Sequence, residues 1–205
     1  MTGSTSRSYH HGALRDALLQ RAAEVIEAQG VERLTLRGLA RDLNVSHGAP
    51  NRHFANREAL LTTLATDAWE QMRQATLARA EAAPDDSWIR LNAMGRGFLT
   101  WAIQNRSLFS VIVHPDVARY AGEALEAAVD RFQETVRAAV AATQANGRHP
   151  QATLDALNLY TNAVPFGAAM LVHHPLLARP LTDASLDAFV AEIIELVVPI
   201  ADRAG

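Results

Sequence analysis

Apolar residues recur at steps of three and four along most of the chain, and no stretch alternates apolar with polar residues as a half-buried strand must. The first stripe, Leu14, Ala17, Leu18, Ala22, Val25 and Ile26, is stopped by Gln29-Gly30. Leu36, Leu39, Ala40 and Leu43 make a short second stripe behind Thr35, a good N-cap. Asn44 tolerates the left-handed conformation that ends such a helix. Ser46 is placed to cap a third helix running to about Phe54, and Asn56 to cap a long fourth striped by Leu60, Leu61, Leu64, Ala68, Met72 and Ala75. Turn signals at Ala83-Pro84-Asp85-Asp86, His114-Pro115-Asp116, Asn146-Gly147 and His173-His174-Pro175 punctuate the rest. Ser87 reads as the cap after the first break. A long helix rich in alanine and glutamate lies between the second and third breaks, another helix starts near Gln151, and the last near Ala184. The expected class is all-α with about nine helices.

A chain of 205 residues allows one ordinary domain or a small domain joined to a larger one, and an apolar fraction of 49% supports a core. The absence of cysteine excludes disulfides, thiolate metal sites and a cysteine nucleophile. No stretch approaches the ~20 apolar residues of a membrane span; the longest candidate, Ala163 to Val172, contains Pro165 and Gly167. Residues 1–8, MTGSTSRS, lack the apolar core of an export signal and read as a flexible tail, so a soluble, cytoplasmic protein is expected. The net charge of −3 is unevenly spread. Residues 1–60 hold eight arginines against six acids and four of the eight histidines, whereas residues 61–205 hold eleven arginines against sixteen acids. A mildly basic head on an acidic body is compatible with DNA binding at one end.

Two short helices joined by a tight turn match a helix-turn-helix. Ala40 is small enough for close crossing, and Val45 plugs the gap under the turn. Ser46, His47, Gly48 and Ala49 suit a helix end entering a major groove, and Arg52 and His53 add donors one turn later. Thr35 and Asn56-Arg57 offer phosphate donors at two helix starts, and Arg7, His10 and His11 extend the set. Residues 9–65 strongly resemble the DNA-binding domain of the tetracycline-repressor (TetR) family. The resemblance rests on the helix ending in Gly30, Thr35-Leu36-Arg37, Leu39-Ala40, Val45-Ser46, His53-Phe54 and Arg57-Glu58-Ala59-Leu60-Leu61. It implies a three-helix reading head and a fourth, linking helix continuing to about residue 82. It also implies DNA contacts by Thr35, Arg37, Ser46, His47, Gly48, Asn51, Arg52, His53 and Arg57. The chain departs from the family in two places: Asn51 stands where tyrosine is common, and Arg57 where lysine is. Asn51 is suited to bond an adenine edge. Pro50, about four residues into the third helix, is expected to cost little there.

Residues 83–205 read as a helical effector-binding and dimerisation domain. The stretch from Arg96 to Val113 resembles the start of a ligand-binding domain in one branch of the family, although that branch often has His-Gly where this chain has Phe166-Gly167. Met94, Phe98, Trp101, Phe109, Phe132, Tyr160, Phe166 and Met170 read as ordinary core or as the lining of an apolar effector pocket. Asn158, Tyr160 and Asn162 are candidate polar contacts. Pro165 removes the donor for the Thr161 carbonyl, so Thr161 and Asn162 rank first for ligand contact. His114, His173 and His174 are expected in exposed turns. The face of Leu186, Phe189, Val190, Ile193, Ile194 and Val197 serves either a dimer interface or its own subunit.

These readings point to a homodimeric, sequence-specific DNA-binding regulator on a near-palindromic operator, a repressor released by a small apolar ligand. The alternatives are an effector-independent helical DNA binder and a helical enzyme. The latter has no nucleophile-and-base motif, phosphate loop or metal-ligand spacing to support it, and neither cofactor nor metal is expected.

Overall fold

The computed structural model describes residues 6–174, 176 and 183–197, without the side chains of residues 6–12, 183, 184 and 197. Its regular elements, among the described residues, are all helical. They are α1 (Ser6–Gln29), α2 (Leu36–Asp42), α3 (Arg57–Glu81), α4 (Ser87–Gln104), α5 (Arg106–Ile112), α6 (Pro115–Arg119), α7 (Glu123–Ala145), α8 (Leu154–His173) and α9 (Asp183–Val197). Short 3-10 turns occupy Val31–Arg33 and Pro50–Arg52. No described helix is long and apolar enough to cross a membrane.

The caps explain the boundaries. Gly38 N–H donates to Thr35 Oγ1 at 3.0 Å at the start of α2, and Ala59 N–H to Asn56 Oδ1 at 2.7 Å at the start of α3. At the end of α2, Asn44 has a φ of 52°. Around it, Asn44 N–H donates to the Arg41 carbonyl at 3.1 Å and Val45 N–H to the Ala40 carbonyl at 2.9 Å. This pair of bonds defines a Schellman end with asparagine in the left-handed position.

Four expectations need correction. The segment from Ser46 to Phe54 is a turn followed by the Pro50–Arg52 3-10 turn, with no side-chain cap from Ser46. Proline cannot give the Ser46 carbonyl its α-helical partner, and that carbonyl takes Ala49 N–H at 2.9 Å instead. The cap of α4 is Asp86 rather than Ser87, because one carboxylate oxygen accepts both Trp88 N–H and Ile89 N–H at 2.9 Å. α8 starts at Leu154, capped by Thr153 through Ala156 N–H. α1 begins at Ser6, inside the stretch read as a tail; no proline interrupts it, and Gly12 alone costs a helix only about 1 kcal/mol. The remainder of that stretch, residues 1–5, lies outside the described residues.

The chain divides into two compact units. The first holds residues up to Ala68 together with Ser107–Leu125. Its core includes Leu18, Ala22, Leu34, Leu39, Phe54, Leu60 and Leu61, along with Phe109 and Val111 of α5. The second holds Trp69–Arg106 and the chain from Glu126 onward. There α4 packs on α8 and α9. An aromatic series runs through this core: Trp69 to Phe132 at 5.3 Å between ring centroids, Phe132 to Phe98 at 6.0 Å, and Phe98 to Phe166 at 6.1 Å.

Candidate nucleic-acid interface and interior hollows

In the first unit, α2 and the segment after it carry the candidate reading residues. Ser46, His47, Gly48, Asn51 and Arg52 are all exposed, and His53 is half-buried. Beside them lies an open hollow of about 330 Å³ bordered by Arg33, Thr35, Arg37, Gly38, Arg41 and His47. Arg33 and Arg41 were not among the sequence candidates. The spacing of Arg37 and Arg41, one helical turn apart on α2, is the signal that brings Arg41 into the set.

The face is braced from behind. Arg21 of α1 grips one Asp42 carboxylate oxygen through Nε at 3.1 Å and Nη2 at 3.0 Å, and reaches Glu24 at 2.8 Å. Arg41 meets the other Asp42 oxygen at 3.3 Å. Hydrogen bonding from Arg21 holds the Asp42 carboxyl below its usual 3.8. A lowered acid adds stability above its unfolded value and loses it as pH falls through the folded one. Burial pushes Asp67 the other way, so that group partly offsets the loss in acid. Asp42→Asn should therefore lower the melting temperature slightly at neutral pH, with the difference fading in acid as pH falls below 3.8 and through the lowered value. A difference that persists there would remove this account.

Arg57, a sequence candidate for phosphate, is turned inward. Its Nε donates to the Leu34 carbonyl at 3.1 Å, its Nη2 to the Val31 carbonyl at 3.0 Å, and its Nη1 lies 3.5 Å from Asp116 Oδ2. His114, expected in an exposed turn, is largely buried. Its Nδ1 accepts Asp116 N–H at 3.2 Å, capping α6, and its Nε2 sits 3.0 Å from Glu32 Oε1. His173 is half-buried too, with Nε2 2.8 Å from the Ala102 carbonyl. His174 is exposed as expected.

The second unit places the interior candidates unequally. Met94, Phe98, Phe132, Thr161 and Asn162 border a small hollow, and Tyr160 and Thr161 a neighbouring one. Trp101 is buried and Phe166 joins the aromatic series, neither bordering these hollows, while Met170 is exposed. Phe109 belongs to the buried core of the first unit. Asn162 donates to the Asn158 carbonyl at 2.7 Å. On α9, Leu186, Val190 and Ile194 are buried within the protomer, and Phe189 and Ile193 are half-buried; the Val197 side chain lies outside the described residues. Among the described residues of α8 and α9, the large apolar side chains left exposed are Leu159, Tyr160, Met170 and Leu171 on α8 and Leu196 on α9.

Comparison with known proteins supplies the context. Residues 18–64 match the profile of bacterial regulatory proteins, tetR family. Over 117 residues, 53% of this chain and 50% of the relative, the sequence is 28% identical to the HTH-type transcriptional regulator Rv1816 of Mycobacterium tuberculosis (strain ATCC 25618 / H37Rv). The same values hold for Mb1846 of Mycobacterium bovis. The chain thus spans about half the length of the curated relatives it matches. A solved structure of a protein of unknown function from Rhodococcus sp. RHA1 superposes with a TM-score of 0.74 at 28% identity, covering 93% of this chain and 98% of that one. A bacterial regulatory protein in the tetR family from Rhodococcus RHA1 gives 0.69 at 22% identity, covering 91% and 96%, which is a likeness of fold.

Proposed function

We propose that the chain, whose residues 18–64 match the profile of bacterial regulatory proteins of the tetR family, is a TetR-family transcriptional regulator that acts in the cytoplasm as a homodimeric repressor of a near-palindromic operator. The observation that carries this reading is the exposed array of Ser46, His47, Gly48, Asn51 and Arg52 beside a hollow bordered by three arginines. Reading needs base-edge contacts, and register needs phosphate contacts. His47, Asn51 and Arg52 take the first role. Thr35, Arg37, Arg41 and backbone amides take the second, with Ser46 and Gly48 keeping the approach free of bulk.

One head reads only a half-site, so two are required about 34–36 Å apart. The apolar residues left exposed on α8 and α9 favour those helices as the pairing surface. A small ligand in the hollows of the second unit then acts by its differential affinity for two dimer geometries, only one of which fits the operator.

Selection of bound fragments from the source genome should return a near-palindromic motif whose affinity falls steeply with salt. Absence of any enriched motif at low salt would overturn the proposal. His47→Ala and Asn51→Ala should each cost about 1–3 kcal/mol at the preferred site and relax the preference there, whereas Arg37→Ala should weaken all sites alike and reduce the salt slope by about 1. The reverse pattern would exchange their assigned roles.

A further inference from the structure

The open hollow of the first unit, about 330 Å³, reaches the ~300–1,000 Å³ of small-molecule sites, whereas those of the second unit, about 70 and 30 Å³, do not. Its border is chemically one-sided. Arg33, Arg37 and Arg41 supply three guanidiniums, and Gln29, Thr35 and His47 supply hydrogen-bonding groups. Val25 and Leu39 border it as buried apolar residues and form its floor. The carboxylate at the border, that of Asp42, is already engaged, because Arg21 takes one oxygen and Arg41 the other. Arg33 and Arg37 differ from Arg41 in this respect. Both are exposed, and among the described residues neither side chain makes a hydrogen bond or an ion pair.

Local structure holds these cations together. Arg37 and Arg41 stand one turn apart on α2, a spacing at which like charges repel. Arg33 is brought beside them by the turn that follows α1. Gly30, at a φ of 84°, ends that helix, and the Gly30 carbonyl accepts Arg33 N–H at 3.2 Å. Arg57 then grips the Val31 and Leu34 carbonyls, on either side of Arg33, at 3.0 and 3.1 Å. The backbone that carries Arg33 is thereby fixed while its side chain is left to solvent.

We propose that this hollow binds a phosphate monoester with an organic body of nucleotide size, its phosphate shared among Arg33, Arg37 and Arg41 and its body over Val25 and Leu39. A monoester brings about two negative charges and three terminal oxygens at neutral pH. Each phosphodiester of DNA brings one charge and two such oxygens, so three forked donors favour the monoester. This site is additional to the interior effector site proposed above. Its regulatory consequence rests on the DNA-reading role proposed there: the ligand covers Arg37, Arg41 and His47, so ligand and operator exclude each other directly, with no change of dimer geometry.

Adenosine monophosphate, cyclic adenosine monophosphate and adenosine keep the body constant and vary the phosphate. Titrated into the full chain without DNA at physiological ionic strength, the monoester should bind about tenfold more tightly than the other two and raise the melting temperature. Arg33→Gln should cut monoester affinity about tenfold without moving the melting temperature of the free chain, and Arg33→Lys should recover part of the loss. Equal binding of the cyclic diester would assign the arginines to backbone phosphate alone and overturn the proposal. So would equal binding of adenosine, monoester affinity unchanged in Arg33→Gln, or no monoester binding at millimolar concentration. Operator titrations with and without the monoester test the regulatory half: operator affinity should fall competitively in the parent chain and fall less in Arg33→Gln. A monoester that binds through Arg33 without lowering operator affinity removes the competition and leaves the site's chemistry standing. Failure to bind any operator, with the monoester still bound, overturns the DNA-reading role instead.

Discussion

Gly97→Ala should melt several degrees below the parent chain, a loss of about 1–3 kcal/mol from overpacking. A β-carbon at that position would stand 2.6 Å from the Ala75 carbonyl oxygen and 3.0 Å from Thr76 Cα. Both are backbone atoms of α3, so no side chain can swing aside, and α3 and α4 must move apart to admit the methyl group. Nothing nearby is loose enough to absorb that movement. Thr76 is 1% exposed, with its hydroxyl already donating to the Met72 carbonyl at 2.8 Å, and Phe98 and Leu99 are buried on the adjoining turn of α4. Gly167→Ala is the matched control. Its β-carbon would meet nothing within 4 Å, and alanine is the better helix former, so that variant should hold or gain up to about 1 kcal/mol. Thermal denaturation followed by circular dichroism checks both, and a Gly97→Ala chain that melts with its parent would show that the helices separate freely.

What the sequence made legible divides along one physical line. Caps and stops depend on residues within about four positions, so Thr35, Asn44 and Asn56 were readable one by one, and each makes the expected bond or turn. The segment 46–54 was harder because helical spacing and Pro50 pulled in opposite directions, and the missing N–H decided the outcome. Ser87 and Asp86 are both good caps. Only the geometry shows that the carboxylate takes two amides, while the hydroxyl accepts from Asn146, 59 residues away. α5 and α6 have seven and five residues, too few for a period to show, and Phe109 was grouped with aromatics of the second unit for that reason. His114 beside a proline suggested an exposed turn; its partner Glu32 is 82 residues away. Of the candidate site, the reading segment after Asn44 is visible as pattern. The roles of charged side chains are not, because a long arginine chooses among acceptors that only the tertiary fold brings within reach.

Arg57 is the sharpest case, and Arg57→Ala should destabilise the first unit by about 1.5–3 kcal/mol without changing the salt dependence of DNA binding by the folded protein. Its guanidinium spans 23 to 59 residues of sequence, from the Leu34 and Val31 carbonyls to Asp116. The Val31 carbonyl keeps a second donor, Leu34 N–H at 3.1 Å, so the loss falls on the Leu34 carbonyl and on the tie to α6. Leu34 immediately precedes Thr35, the cap of α2, and Arg57 is thereby a positioning residue for the end of α2 that borders the basic hollow. Arg57→Lys should fall between, because an ammonium satisfies one acceptor but cannot fork across three. A direct phosphate contact predicts the opposite split. Lysine would then keep the salt slope, and alanine would lower it by about 1 with the melting temperature unchanged. Melting curves, paired with operator titrations over a range of potassium chloride concentrations, separate the two roles. An alanine variant that is stable but short of one phosphate contact would mean the side chain swings out to DNA and abandons the carbonyls it holds in the free protein.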